Sequence, residues 1–578
     1  MTRRTLAAAG TGLLAAAAGV AVAELLATAV RPQAAPLVAV GGAVVDGAPT
    51  AVKEWAVRTF GTYDKPLLLG GIALALALLA ALTGIAARRR PALGLLGPAV
   101  LGVAGVAAAL TRPDARPVDA LPALAGAAVA AALLRWLPLP GLPAAPPDLP
   151  DAAPDPVGVG RAASGAGPAG PGGPGGPGGG SAGPDGAAGS GGGSGGPDGA
   201  AGSGGSAGSG GAAGSGGSAS AGGATRRAVV RNAALVAAGT ALAGAGAAAL
   251  RRLDVADAAR SREAVRLPAP ASPARPTPAA VAPGFRTPTA DFYRVDTALA
   301  VPRLDVDAWR LRVHGLVARP VELSFADLLD RGLIERDVTL SCVSNEVGGP
   351  YVGTARWLGA PLAPLLRAAG IRAGADQVVA RSDEGMTIGT PIATLLDGRD
   401  AMLAVGMNGA PLPFAHGFPV RMLTPGLYGY AGACKWVTEL EVTTFDAFDA
   451  YWVRRGWARD APVKTASRID RPAPFTRLSA GEVTVAGVAW AQHRGITAVE
   501  VSVDGGPWRA AELLPTASVD TWVQWRFAWR APAGPHSLKV RATDGTGAVQ
   551  PEQRRPPFPD GATGHHTITV TVKGRAPS

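Results

Sequence analysis

Long uncharged apolar stretches separated by short charged ones fill the first quarter of the chain and recur once before residue 283, where two-step alternation takes over. A helix needs ~20 apolar residues to cross a bilayer. Leu6 to Val30, broken only by Glu24, Leu67 to Ala87, Pro91 to Thr111 and Asn232 to Leu250 approach that length, and a shorter stretch starts at Ala120. The pattern therefore predicts about four transmembrane helices over residues 1–140 and a fifth over 225–252. Further on, "WRLRVHGLV" alternates as a strand does, and "SFADLLDRG" is a helix capped at Ser324. "VTLSCVS" is a strand running into a turn, and "LAPLLRAAG" is an amphipathic helix stopped by Gly370. After Asp470 come successive alternating runs, with "DGG" at 504–506 as a hairpin turn, the texture of an immunoglobulin-like β-sandwich. The fold class is thus multi-domain: membrane helices, an α+β domain over 283–469, and a β-sandwich over 470–574.

Composition adds a tether. From Gly158 to Gly223 every residue is Gly, Ala, Ser or Pro except Val159, Arg161, Asp185 and Asp198. Such a segment has too little apolar surface to fold, so 141–224 is expected to be a disordered linker. The net charge of +11 sits largely in arginines that flank apolar runs, a membrane-topology pattern with no nucleic-acid face in it. Arg3-Arg4, Arg88-Arg89-Arg90 and Arg226-Arg227 all fall on the cytoplasmic side if there are five spans, which puts the C-terminal half outside. "TRRAVVR" at 225–231 also has the look of a twin-arginine export signal.

The candidate chemistry is sparse. All six histidines (His314, His416, His493, His536, His565, His566) lie outside the apolar stretches, so no bis-histidine haem is expected among the spans, which are expected to anchor the chain. Only two cysteines occur, Cys342 and Cys434. By itself Cys342 fits three roles: an inert buried thiol, a nucleophile partnered by His416 or His314, or a soft ligand to a metal held mainly by another group.

The stretches "SCVSN", "YVGTARWLGAPLAPLLRAAG", "SDEGMTIGTPI", "DAMLAVGMNGAPLPFAHGFPVRMLTPGLYGYAGACKWV" and "YWVRRGWARDAPVKTASRID" together resemble the sulfite oxidase family of molybdopterin-dependent oxidoreductases, in its membrane-anchored bacterial form. The resemblance covers roughly residues 283–573. It implies that Cys342, followed at the family spacing by Asn345, ligates molybdenum whose other ligands are oxo groups and the dithiolene of one molybdopterin. It assigns "FYRVDTALAVP", with Phe292, Tyr293 and Arg294, to the pterin, and Asp383 to a cofactor-contacting carboxylate. His416 and Arg421 fall at the cofactor's phosphate end. Ala433, Cys434 and Lys435, just before Trp436, match the stretch that closes over the pterin. Cys434 then occupies a filler position. Arg294 is also the cation nearest the expected substrate pocket. One departure concerns Glu346 and Val347, which stand where sulfite-binding relatives carry arginines, so a dianion meets a carboxylate. The implied function is oxygen-atom transfer to or from a small sulfur- or nitrogen-containing substrate, with a separate electron acceptor or donor and a homodimer formed through the C-terminal domain. Reduction of a sulfoxide such as oxidised methionine is the enzymatic alternative, and a cofactor-free surface scaffold is the alternative of another class.

Overall fold

The computed structural model describes residues 3–49, 52, 55–56, 59–60, 63–112, 115–137, 226–276 and 284–574. The Gly-rich linker lies outside these.

Among the described residues five helices are long and apolar enough to cross a membrane. We label the apolar helices α1 (Arg3–Val30), α2 (Pro36–Gly47), α3 (Asp64–Ala87), α4 (Pro91–Leu110), α5 (Leu121–Trp136) and α6 (Arg226–Ala264). Of these α2, at 12 residues, is too short to cross. Helix α1 is central, packing on α3, α5 and α6. Small residues permit the approach: a Cβ on Gly19 would lie 2.5 Å from the carbonyl oxygen of Gly126, so only glycine fits where α1 meets α5. Two features were not anticipated from the pattern. One is α2, which forms just after α1. The other is the length of α6, which continues past the apolar stretch ending at Leu250 because the Asp/Arg/Ala sequence that follows is still helix-forming. Its last turn meets the soluble half, where Arg262 donates to the carbonyls of Pro411 and Leu412, both at 2.7 Å.

The soluble half contains a mixed sheet, an antiparallel sheet and a sandwich. Its strands before residue 450 are β1 (Arg310–Gly315), β2 (Val321–Ser324), β3 (Ile334–Ser341), β4 (Val352–Pro361), β5 (Gln377–Ser382), β6 (Thr387–Pro391), β7 (Met402–Met407), β8 (Ala410–Pro411), β9 (Arg421–Leu423) and β10 (Val437–Thr443). One sheet has the order β2-β1-β10-β5-β6, and the other β3-β4-β7-β8 with β9 on β7. Leu311, Leu362, Leu366, Val378, Leu403 and Leu440, all fully buried, close the core between them. Local signals work as read: Ser324 accepts from the Asp327 N–H and caps its helix, and Gly370 ends the helix Leu362–Ala369 in the left-handed region.

The chain then forms four-stranded and five-stranded sheets that share one core of Ile469, Val485, Val499, Trp525, Leu538 and Val570. The first strand of this sandwich is Ala466–Arg471. The sandwich is bonded to β3: Thr339 donates its N–H to the Asp520 carbonyl (2.9 Å), and its own carbonyl accepts from Gln492 Nε2 (2.9 Å). The Thr339 hydroxyl accepts from the Trp522 N–H at 2.7 Å. The strand that leads into Cys342 is therefore pinned from outside its own sheet. Replacing Thr339 by Val strands the buried Trp522 N–H, at a cost of about 1–3 kcal/mol. Thermal unfolding of the detergent-solubilised chain should show Thr339→Val several degrees below wild type, with Thr339→Ser, which keeps the hydroxyl, closer to it. Equal midpoints for wild type and the Val variant would contradict this role.

Candidate active site

Strand β3 delivers Cys342 into a tight turn. The Cys342 N–H donates to the Tyr351 carbonyl (2.9 Å), the Asn345 N–H returns to the Cys342 carbonyl (3.1 Å), and Asn345 Oδ1 accepts from the Tyr351 N–H (2.8 Å). Gly349 closes the loop, where a Cβ would come within 2.6 Å of Asn345 Oδ1. The thiol is buried and free, as is that of Cys434. Burial pushes the Cys342 pKa up, opposed in part by the backbone N–H and hydroxyl of Ser344.

An aromatic wall stands beside this turn. Phe292 and Tyr293 stack at 5.2 Å between centroids, and Phe292 sets its edge against Trp357 (5.8 Å) and His416 (5.7 Å). Burial raises the Tyr293 pKa and proximity to Cys342 adds to it, so the phenol stays protonated.

Behind the wall lies an excess of buried positive charge. Arg421, at the start of β9, is 7% exposed, and its guanidinium carbon sits 5.3 Å from the centre of the Trp357 ring. Its buried Nε has no hydrogen-bond partner. Lys435, 8% exposed, donates to Asp296 Oδ2 (2.6 Å) and to the Ala415 carbonyl (3.2 Å). Burial lowers its pKa to about 8 despite that carboxylate. His416 is lowered to about 4 by burial and by the nearby charges of Arg421 and Lys435, so it is neutral at pH 7.

Asp296 is the hub of this cluster. Burial alone would raise its pKa, but Lys435 and Lys65 hold it well below the usual carboxylate range. It accepts from Lys435, from Arg294 Nε (2.9 Å) and from Lys65 Nζ (2.5 Å), the last at the start of α3. The neighbouring carboxyl of Glu384 behaves oppositely. Burial, followed by the charge on Asp296, pushes it up to about 7, and Lys435, Lys65 and Arg112 only partly compensate. Thr297 Oγ1 lies 3.3 Å from it.

The structure thus brings Cys342, Phe292, Tyr293, His416, Arg421 and Lys435 into one region, with Arg294 at its more exposed edge. Asn345 serves the turn through Tyr351. Asp383 receives Gln33 Nε2 at 3.3 Å and donates its N–H to the Trp436 carbonyl. Cys434 is packed in the main core, its pKa pushed up by burial. Glu346 is exposed, and with Val347 it lines a small crevice facing Thr465, Ser467 and Gln550 of the sandwich side. Sequence reasoning missed Asp296, Glu384, Trp357 and Lys65. The first two lie inside recognised segments, "FYRVD" and "SDEG", but their burial is a tertiary property.

Residues 298–452 match the family described as the oxidoreductase molybdopterin binding domain. The mitochondrial sulfite oxidase of Mus musculus is 31% identical over 334 residues, covering 49% of this chain and 60% of that protein. The sulfite oxidase of Gallus gallus is 30% identical over 332 residues, covering 49% of this chain and 72% of the relative. The chain thus spans 60% of the length of the mouse relative. The crystal structure of the sulfane dehydrogenase SoxCD from Paracoccus pantotrophus superposes with a TM-score of 0.45 at 25% identity, covering 50% of this chain and 82% of that one.

The raised Glu384 pKa has a measurable consequence. Its ordinary value is 4.5 and its folded value about 7, so between these the folded state holds a proton that the unfolded state has lost. The contribution is fully favourable below the lower value and falls away as pH rises through the window. Glu384→Gln, neutral throughout, should match wild type near pH 4.5 in thermal midpoint and exceed it at pH 8. Parallel pH curves for the two proteins would refute the buried, proton-holding carboxyl.

Proposed function

The chain belongs to the sulfite oxidase family of molybdopterin oxidoreductases, whose cofactor is molybdopterin, and from that premise we propose that it is a membrane-anchored, extracytoplasmic enzyme of oxygen-atom transfer. The observation that carries the reading is the unpartnered Nε of Arg421, buried beside a lysine and a histidine whose pKa values are both depressed. Two buried cations, Arg421 and Lys435, beside a neutral imidazole fit an anion, and a phosphate-bearing cofactor supplies one. The donor set fits as well. Among the described residues no cluster of His, Cys, Asp and Glu is placed to hold a metal, so a metal beside Cys342 would take most of its ligands from the group that brings it.

In this reading Cys342 Sγ ligates the metal, and the turn locked by Asn345 aims it. Arg421 and Lys435 hold the phosphate with His416 alongside, while Tyr293 and Phe292 form the wall against the ring system and exclude water. When bound, molybdopterin supplies two-electron chemistry that moves an oxygen atom to or from the substrate. Glu384, titrating near neutrality, is able to hold or release a proton at its carboxyl oxygen beside the cluster. The substrate is a small sulfur- or nitrogen-containing compound, and a separate electron acceptor or donor completes turnover. Glu346 and Val347 disfavour sulfite, because neither offers a charge-assisted hydrogen bond to a dianion. Reduction of a sulfoxide uses the same parts in the opposite direction. The sandwich, read as immunoglobulin-like, serves dimerisation.

Orientation follows from charge. The ends of the helices that touch the soluble half, at Gln33, Asp46, Lys65 and Arg112, lie opposite the turn carrying Arg88, Arg89 and Arg90. The positive-inside rule puts that turn in the cytoplasm and the soluble half outside. Reporter fusions after Thr111, Ala200 and Ser578 should read outside, inside and outside, and a cytoplasmic signal for the last would overturn the orientation.

Metal analysis of the purified chain should find molybdenum and pterin together. Cys342→Ser exchanges a soft donor for a hard, weakly ionised one and should abolish turnover while pterin remains bound. Cys434→Ala, a change within the packed core, should cost about 1 kcal/mol and leave activity largely intact. Activity retained in Cys342→Ser would remove the ligand assignment.

A further inference from the structure

We infer that the membrane bundle is itself part of the cofactor site, with Lys65 a positioning residue that sets the charge of the cradle through Asp296; the inference rests on the function proposed above. Four separate membrane-side segments reach the same face of the soluble half. Gln33, between α1 and α2, donates to Asp383. Asp46, near the end of α2, accepts from the Tyr451 hydroxyl (2.5 Å) and Arg455 (3.1 Å). Arg112, after α4, donates to the Glu384 carbonyl at 3.3 Å. Lys65, in the first turn of α3, inserts its ammonium between Asp296 Oδ1 (2.5 Å) and the Ala298 carbonyl (2.6 Å).

The Lys65 contact differs from the others because of what its partner holds. Asp296, 2% exposed in its side chain, is shared by Lys435, Arg294 and Lys65. With Lys65 in place, the single carboxylate is more than neutralised, and the ammonium of Lys435 together with Arg421 remains in surplus for an anion. Without it, Asp296 is left to Lys435 and Arg294, and the cradle loses one positive charge in a site where water screens little.

The test is the molybdenum and pterin content per chain of the full-length protein, purified in detergent as wild type, Lys65→Met, Lys65→Arg and Asp46→Asn. Losing a charge-assisted contact to the cradle lowers cofactor affinity by about tenfold, so Lys65→Met should retain markedly less of both molybdenum and pterin. Lys65→Arg restores the charge and should restore the content. Asp46→Asn weakens docking on the same face without touching Asp296 and should stay loaded. Lys65→Gln replaces the Met variant if that does not accumulate as folded protein. Equal loading of wild type and Lys65→Met, or an equal loss in Asp46→Asn, overturns the inference and leaves the proposed function standing. A wild-type chain free of molybdenum and pterin overturns both.

Discussion

A carboxylate almost wholly withdrawn from water, that of Asp296, organises the site. A buried charge is tolerated only when paired and hydrogen-bonded, and Asp296 satisfies this with Lys435, Arg294 and Lys65 at once. Its neighbours are shifted too. Burial, with the charge on Asp296 added, raises the Glu384 carboxyl to about 7. Burial, with Arg421 and Lys435 beside it, lowers the His416 imidazole to about 4. Arg421 keeps an orphaned Nε in the dry interior. A set of groups displaced this far from their ordinary protonation behaviour is characteristic of a binding site and costly as mere scaffolding.

That cluster is assembled from segments distant in sequence, and the fold explains how. Strand β3 leads into Cys342 and is held from its far side by the sandwich through Thr339. Strand β9 brings Arg421 and is paired to β7, with Arg421 opposite Ala404. Lys435 precedes β10, next to Trp436, whose indole N–H donates to the Phe414 carbonyl at 2.8 Å. Lys65 arrives from 231 residues earlier than Asp296. The soluble core, the sandwich and the bundle each contribute one rigid support, which is how a site keeps its geometry.

What could be read in advance follows the range of the interactions involved. The cap at Ser324, the stop at Gly370 and the turn at Asp504-Gly505, both with positive φ, are written in a few adjacent residues, and all were legible. So was the Cys342 turn, because Asn345 lies three residues away and bonds locally. Resemblance located Phe292, Tyr293, His416, Arg421 and Lys435, and the fold brings them together. Asp296 and Glu384 were illegible because an acidic residue in a sequence is solvated by default, and only tertiary burial makes it exceptional. Lys65 carried no signal in the sequence, because its partner Asp296 lies 231 residues away. Asn345 shows the converse: its carbonyl oxygen is engaged by the Tyr351 N–H within the chain, a structural duty hidden behind a motif position.

The central claim is that a lone thiolate and a buried cationic cradle together hold one metal-bearing, anionic cofactor. X-ray absorption at the molybdenum edge of the purified full-length chain tests it most directly. The expected result is stoichiometric molybdenum with a sulfur shell that includes a protein thiolate, diminished in Cys342→Ser and unchanged in Cys434→Ala. Molybdenum absent from the wild type, or a sulfur shell indifferent to Cys342, would contradict the account.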